Sequence, residues 1–277
     1  MSETLSSRND TAPAPEREPQ RRRPRGDDDR LWEVDATRTL AMVMMVVYHV
    51  VYDINFLLPA AGVDPYNGVW RALQVVCGST FLTLVGISFW ISHERAKADR
   101  LTGEQLWRSH LLRGFEVLAA ATVVSIATRV ALGPDDAVRF GILHLIAALM
   151  IVVLPLTVRL GRWNAILGAA IIAAGLSTDL TSDIPGLLAL GFEPPQAGVD
   201  WYPLMPWGGA ALLGVALGSV LYPCGRRGPA LRALPRHPRL GRLAAQPGRR
   251  SLPFYLVHQP VLVAVLGSGF WLFGADV

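Results

Sequence analysis

Lysine is almost missing from this 277-residue chain: Lys97 is the only one, and the remaining cationic side chains are arginines, with six histidines beside them. That bias reports genome composition and carries no function of its own. Cysteine is nearly as scarce. Cys77 sits in an apolar run and Cys224 in a basic loop, a spacing that suits neither a disulfide nor a metal knuckle, so free thiols and no metal site are expected. Charged residues make up only 17% of the chain against 51% hydrophobic ones, which sets it apart from soluble globules and among polytopic membrane proteins. The net charge of +4 would suit a nucleic-acid binder, but the arginines stand in short loops between apolar runs and mark membrane topology instead. No nucleic-acid partner is expected. No internal repeat is evident, which disfavours an inverted-repeat transporter.

What is present is apolar and long. Residues 1–29 mix Ser, Pro, Glu, Arg and Asp with few large apolar side chains, so they predict a disordered cytoplasmic tail ahead of a membrane domain over 30–277. No apolar h-region of a secretory signal follows the early arginines; the next run is of full spanning length. Seven runs approach or exceed the roughly 20 residues that cross hydrocarbon as a helix. They lie near 36–58, 70–91, 112–132, 139–158, 163–179, 204–222 and 251–273. Loop charges check the count. Arginines gather in 92–113, 159–162 and 223–250, the last with eight and no Asp or Glu. The alternate loops 59–69, 133–138 and 179–203 carry Asp64, Asp135, Asp136, Asp179, Asp183, Glu193 and Asp200 and no Lys or Arg. By the positive-inside rule this predicts an all-α, polytopic membrane helix bundle of about seven transmembrane helices, amino terminus cytoplasmic and carboxyl terminus extracytoplasmic, in the cell membrane. The small residues of Gly168–Gly175 and Gly208–Gly214 suit close helix packing.

The first run carries charge that a lipid-facing helix would reject. At about 100° per residue, Arg38 and His49 lie about 20° apart, and Asp35 and Asp53 fall within about 60° of Arg38, so one stripe is polar. Ionisable groups at membrane depth persist where they face a protein interior or a wet cavity. His49 stands roughly 16 Å beyond Arg38, near the midplane, and Asp53 one turn further could orient its imidazole. Asp53 could equally pair with Arg71 or Arg139, and Asp35 with Arg38 could be a helix-end ion pair. His144 near the outer face and His258, eight residues past Arg250, could line a path across the membrane; the plain alternative is a hydrogen bond to a neighbouring helix. The outer loop ends in Asp200-Trp201-Tyr202-Pro203, whose aromatics fit either an interfacial belt or a substrate lid. Haem ligation is disfavoured because the histidines occur singly at unlike depths.

These residues carry a resemblance. Asp35-Ala-Thr-Arg38 with Met45 and His49, Phe140-Gly-Ile-Leu-His144-Leu-Ile-Ala, Asp200-Trp-Tyr-Pro-Leu-Met-Pro-Trp207-Gly, and Gly248-Arg-Arg-Ser-Leu-Pro-Phe-Tyr-Leu-Val-His258-Gln-Pro260 recur in family order. Together they resemble the membrane acyltransferases whose domain is named for heparan-α-glucosaminide N-acetyltransferase. The resemblance implies transfer of an acetyl or other acyl group from cytoplasmic acyl-CoA to an extracytoplasmic sugar, glycan or lipid-linked hydroxyl or amine. It implies His49 as general base or acyl carrier, and the position of Asp53 one turn on makes it the expected catalytic companion. Arg38, Asp35, His258 and Arg250 are expected to hold the acyl-CoA co-substrate, and His144, Asp200, Trp201 and Tyr202 the acceptor. No tightly bound cofactor is expected. Membrane lipid is an expected partner, and a homo-oligomer is left open as the way the cavity closes. The competing reading is a proton-coupled transporter or flippase using the same His and Asp residues.

Overall fold

The computed structural model describes residues 30–272, apart from 179, 183, 185, 195–197 and 236–237. The chain divides into Met1–Arg30 and Leu31–Val277. Of the first unit only Arg30 is described, so the expected tail over 1–29 lies outside the described residues. The second unit is helical, and its β pairing among the described residues is limited to the isolated bridges Phe140 with Trp201 and Thr181 with Glu193.

Helix α1 covers Trp32–Leu57, α2 Gly68–Ala98 and α3 Gly103–Leu132. Thr102 starts α3 with a capping box: its hydroxyl accepts from the Gln105 N–H, and the Gln105 side chain accepts from the Thr102 N–H. The stretch Ile142–Ser177 is compound. It contains α4 (Ile142–Ala148), a π-turn over Leu149–Val153, α5 (Leu154–Thr157), a 3-10 turn over Val158–Trp163 and α6 (Asn164–Ser177). Pro155 explains the π-turn, since its ring crowds the carbonyl one turn back and it offers no N–H to the ladder. Then come α7 (Leu204–Leu221), α8 (Arg239–Gly248) and α9 (Ser251–Leu272).

Six stretches are long and apolar enough to cross a membrane: α1, α2, α3, Ile142–Ser177, α7 and α9. The sequence divides the fourth of these in two, and the difference turns on one residue. Gly161 takes φ 53°, ψ −121°, outside helical space, and Asn164, fully buried, donates from Nδ2 to the carbonyls of Thr157 and Gly161 to hold that turn. Its effect is reversal. The start of α4 meets Asp200 and the end of α6 meets Met205 and Pro206, both beside the start of α7, whereas Gly161 lies by Trp90 and Ser219 at the far end of α7.

The core lies between α2, α4–α5 and α7, where Leu82, Leu145, Leu149, Leu154, Leu212 and Val215 are buried. Glycine makes the α2–α7 crossing possible. A Cβ on Gly86 would overlap the Ala211 carbonyl, and one on Gly214 the Thr83 carbonyl, so the two backbones touch as small residues allow in lipid. Helices α3 and α9 bury little of their surface and present exposed Ile126, Val130, Val261 and Val265. Both thiols are free, Cys77 buried with its S–H on the Ala41 carbonyl and Cys224 exposed.

Candidate active site

Two polar clusters lie along α1, at different depths. At its start, Arg38 donates from Nη1 to Asp35 Oδ1 at 2.7 Å and from Nη2 to Ser88 Oγ at 2.9 Å, and Nη1 also reaches the Gly248 carbonyl at 3.5 Å. Arg249 Nε stands 3.9 Å from Asp35 Oδ2. Here Arg38 binds α1 to α2 and to the end of α8, a role the charge alone did not disclose. Glu33 completes the rim: Arg227 grips it through Nε and Nη2, and the Tyr222 hydroxyl donates to it. Sequence reasoning singled out neither Glu33 nor Ser88; a carboxylate in the first turn of a span was the available signal for Glu33. Arg250 is exposed at the same end.

Three to four turns deeper, α1 meets α9. The rings of His49 and His258 stand 4.9 Å apart, with Tyr48 at 5.8 Å and Tyr52 at 6.3 Å from His49. Asp53 is buried at 2% exposure and accepts a 2.6 Å hydrogen bond from Gln259 Nε2. Among the described residues no hydrogen bond joins Asp53 to His49, and Asp53 pairs with neither arginine considered for it: Arg71 donates to Gln74, and Arg139 to the Pro134 carbonyl. Gln259 is the residue the motif contained and the sequence reading passed over. An amide in an otherwise apolar span was its signal.

His258 has an assignable tautomer. Its Nδ1 lies 2.6 Å from the Tyr255 carbonyl, which only accepts, so Nδ1 carries the proton and Nε2 a lone pair. Among the described residues, four buried atoms here lack a hydrogen-bond partner: His49 Nδ1, His258 Nε2, Asp53 Oδ2 and Gln259 Oε1. Buried polar atoms are normally satisfied, and four orphans in one place mark where a substrate's donors and acceptors would fit.

The expected acceptor residues sit one layer further along. A narrow hollow, too tight to hold a water molecule, is lined by Ala121, Val124, Val138, Gly141, Leu143, His144, Asp200 and Tyr255. Asp200 Oδ2 accepts from the Ile142 N–H at the start of α4, and His144 Nδ1 accepts from the Gly141 N–H, which leaves Nε2–H for Ser125 Oγ at 3.5 Å. Burial pushes the Asp200 carboxyl up to about 6, and the Ile142 hydrogen bond opposes the rise. Tyr255 joins the two layers, lining this hollow while its carbonyl accepts the hydrogen bond from His258 Nδ1–H. Trp201 and Tyr202 do not line the hollow: Trp201 donates to the Leu188 carbonyl, and Tyr202 packs on Trp207 in the space left by Gly78. Among the described residues no group of three His, Cys, Asp or Glu stands together as metal ligands.

The family model for the catalytic part of heparan-alpha-glucosaminide N-acetyltransferase matches residues 30–260, which takes in both clusters and the hollow. The chain belongs to that family. No curated protein and no solved structure matches it significantly. Membership in the heparan-alpha-glucosaminide N-acetyltransferase family makes this a multi-pass membrane acyltransferase of the acetyltransferase type, and the family uses acetyl-CoA as co-substrate.

Proposed function

We propose that this acyltransferase takes an acetyl or other acyl group from cytoplasmic acyl-CoA and delivers it to a hydroxyl or amine of a sugar, glycan or lipid-linked acceptor on the far side of the membrane. The observation that carries the reading is the group of unpartnered buried atoms on His49, His258, Asp53 and Gln259, about 16 Å along α1 from the arginine rim. In this reading Arg38 and Arg250 stand at the cytoplasmic threshold, where guanidinium groups suit the phosphates of CoA, and Asp35 orients Arg38. The pantetheine arm runs along α1 to the histidines.

Neutral His49 then removes the proton from the acceptor as its oxygen or nitrogen attacks the thioester carbonyl. The acyl carbon gains the bond to the acceptor, the C–S bond breaks, and CoA leaves as a thiolate that takes up a proton. His258 offers its Nε2 lone pair beside the same ring. Asp53, tied to Gln259, supplies negative charge near the imidazolium that forms. A route through an acyl-histidine conserves the same atoms in two steps. His144 and Asp200, reached past Tyr255, receive the acceptor from the opposite side. The topology that fits is seven passes, with the Gly161 turn cytoplasmic, the amino terminus inside and the carboxyl terminus outside in the cell membrane.

The test is thiol release from acetyl-CoA by the purified protein in lipid, against a panel of amino sugars, neutral sugars and lipid-linked glycans. Acceptor-dependent release is expected. Gradient-driven movement of a solute with no thioester cleavage across the panel overturns the reading in favour of transport.

A further inference from the structure

Helix α8 divides into three sectors, each about 60° wide at 100° per residue. Gly241, Ala245 and Gly248 form the first and are buried against α1, where a Cβ on Gly241 would strike the Trp32 ring and one on Gly248 the Asp35 carbonyl. Leu240, Leu243 and Pro247 form the second and are exposed, the leucines at 81% and 61%. Arg239, Arg242 and Gln246 form the third and are exposed as well. Arg226 and Arg232 add exposed cations in the preceding segment, and 223–250 contains no acidic residue.

The depth of α8 is fixed by its neighbours. The Gly248 N–H donates to Thr39 Oγ1, and the Trp32 indole donates to the Pro235 carbonyl, so the segment lies beside the first two turns of α1, where a span gives way to charge. A leucine face beside an arginine face at that level matches the boundary between acyl chains and phosphates. Arginines here could simply set topology, but that role needs no leucines standing out beside them.

We propose that α8, with Arg226 and Arg232 in the segment before it, forms a binding site for anionic phospholipid headgroups, with Leu240 and Leu243 entering the acyl layer and Arg239 and Arg242 gripping the phosphates. The site is separate from the buried histidine cluster and does not depend on the acyl-transfer reading. It anchors the end of the bundle against which Arg38 and Gly248 are held, so lipid composition would bear on the entrance to the candidate site.

The full-length protein is purified, placed in nanodiscs of phosphatidylglycerol and phosphatidylcholine mixed equally, and stripped stepwise with detergent while retained lipid is measured by native mass spectrometry. The wild type is expected to retain phosphatidylglycerol preferentially. The double variant Arg239→Gln/Arg242→Gln, with unchanged helical circular dichroism, is expected to lose that preference by about thirtyfold, as two interfacial cations would contribute. Leu240→Gln/Leu243→Gln is expected to lower retention of both lipids. Equal retention of the two lipids by the wild type overturns the proposal, as does a preference that survives the arginine variant. Displacement of the lipid by micromolar free CoA also overturns it and assigns the arginines to a nucleotide's phosphates.

Discussion

The two polar clusters of α1 are built from similar residues and behave as opposites. At the rim, Arg38, Asp35, Glu33 and Arg227 hold one another or the backbone of α8 and its neighbouring loop. Deeper in, His49, His258, Asp53 and Gln259 each keep a buried atom without a partner. A satisfied ionic cluster at a helix end stabilises the packing around it; an unsatisfied one at membrane depth is costly and persists where something else completes it. The contrast separates a rim whose groups are already partnered from a deeper group whose open atoms would meet the reacting groups.

Substitutions on the two sides should therefore fail differently. The largest effect is expected from His49→Ala, which should cut acyl transfer from labelled acetyl-CoA on the order of a thousandfold while leaving the melting temperature near wild type. Activity within a few-fold of wild type would remove His49 from the chemistry. Glu33→Ala inverts the pattern. It strands Arg227 in a part-buried setting, both side chains being 14% exposed, and should cost about 2 kcal/mol in a thermal or denaturant melt, less than full burial would cost. An unchanged melt would show that the rim pairs hold nothing.

Asp53→Asn tests the middle ground. The amide still accepts from Gln259, so the fold should hold, and the loss of charge near the imidazolium should slow turnover about tenfold. A stability loss larger than the rate loss would move Asp53 to the structural side of the comparison. The smallest effect belongs to Asp200. Its carboxyl keeps a proton up to about pH 6 in the fold but only to about 3.8 in the unfolded chain. The stability this group adds is thus complete below about pH 3.8 and lost as pH rises through 6. Between pH 7 and pH 5 the wild type should gain melting temperature relative to Asp200→Asn, whose amide does not titrate. Identical slopes for the two proteins would sink this assignment.

Much of this site was legible before any coordinates. Period-3.6 spacing alone put Arg38, His49 and Asp53 on one face, because a helix repeats its azimuth over such distances. The partners were not legible. Gln259 lies 206 positions from Asp53, and nothing local in either segment encodes their meeting. The alternative pairing of Asp53 with Arg71 or Arg139 is not found for the same reason: a carboxylate's charge announces a need for donors without naming the donor. Nor were the contacts of Trp201 and Tyr202 legible: Trp201 donates to the Leu188 carbonyl, and Tyr202 packs on Trp207 beside Gly78 of α2.

By itself, the sequence determined that the chain is a helical membrane protein and where its polar face begins, because the length of apolar runs and helical periodicity are local properties that lipid enforces. Only the tertiary structure decided that Arg38 ties α1 to Ser88 and to the end of α8, that Asp53 finds its donor on Gln259, and that two histidine rings from far apart in the chain come to lie 4.9 Å from each other. Those outcomes depend on which small residues let which backbones approach, and that is settled by the whole bundle at once.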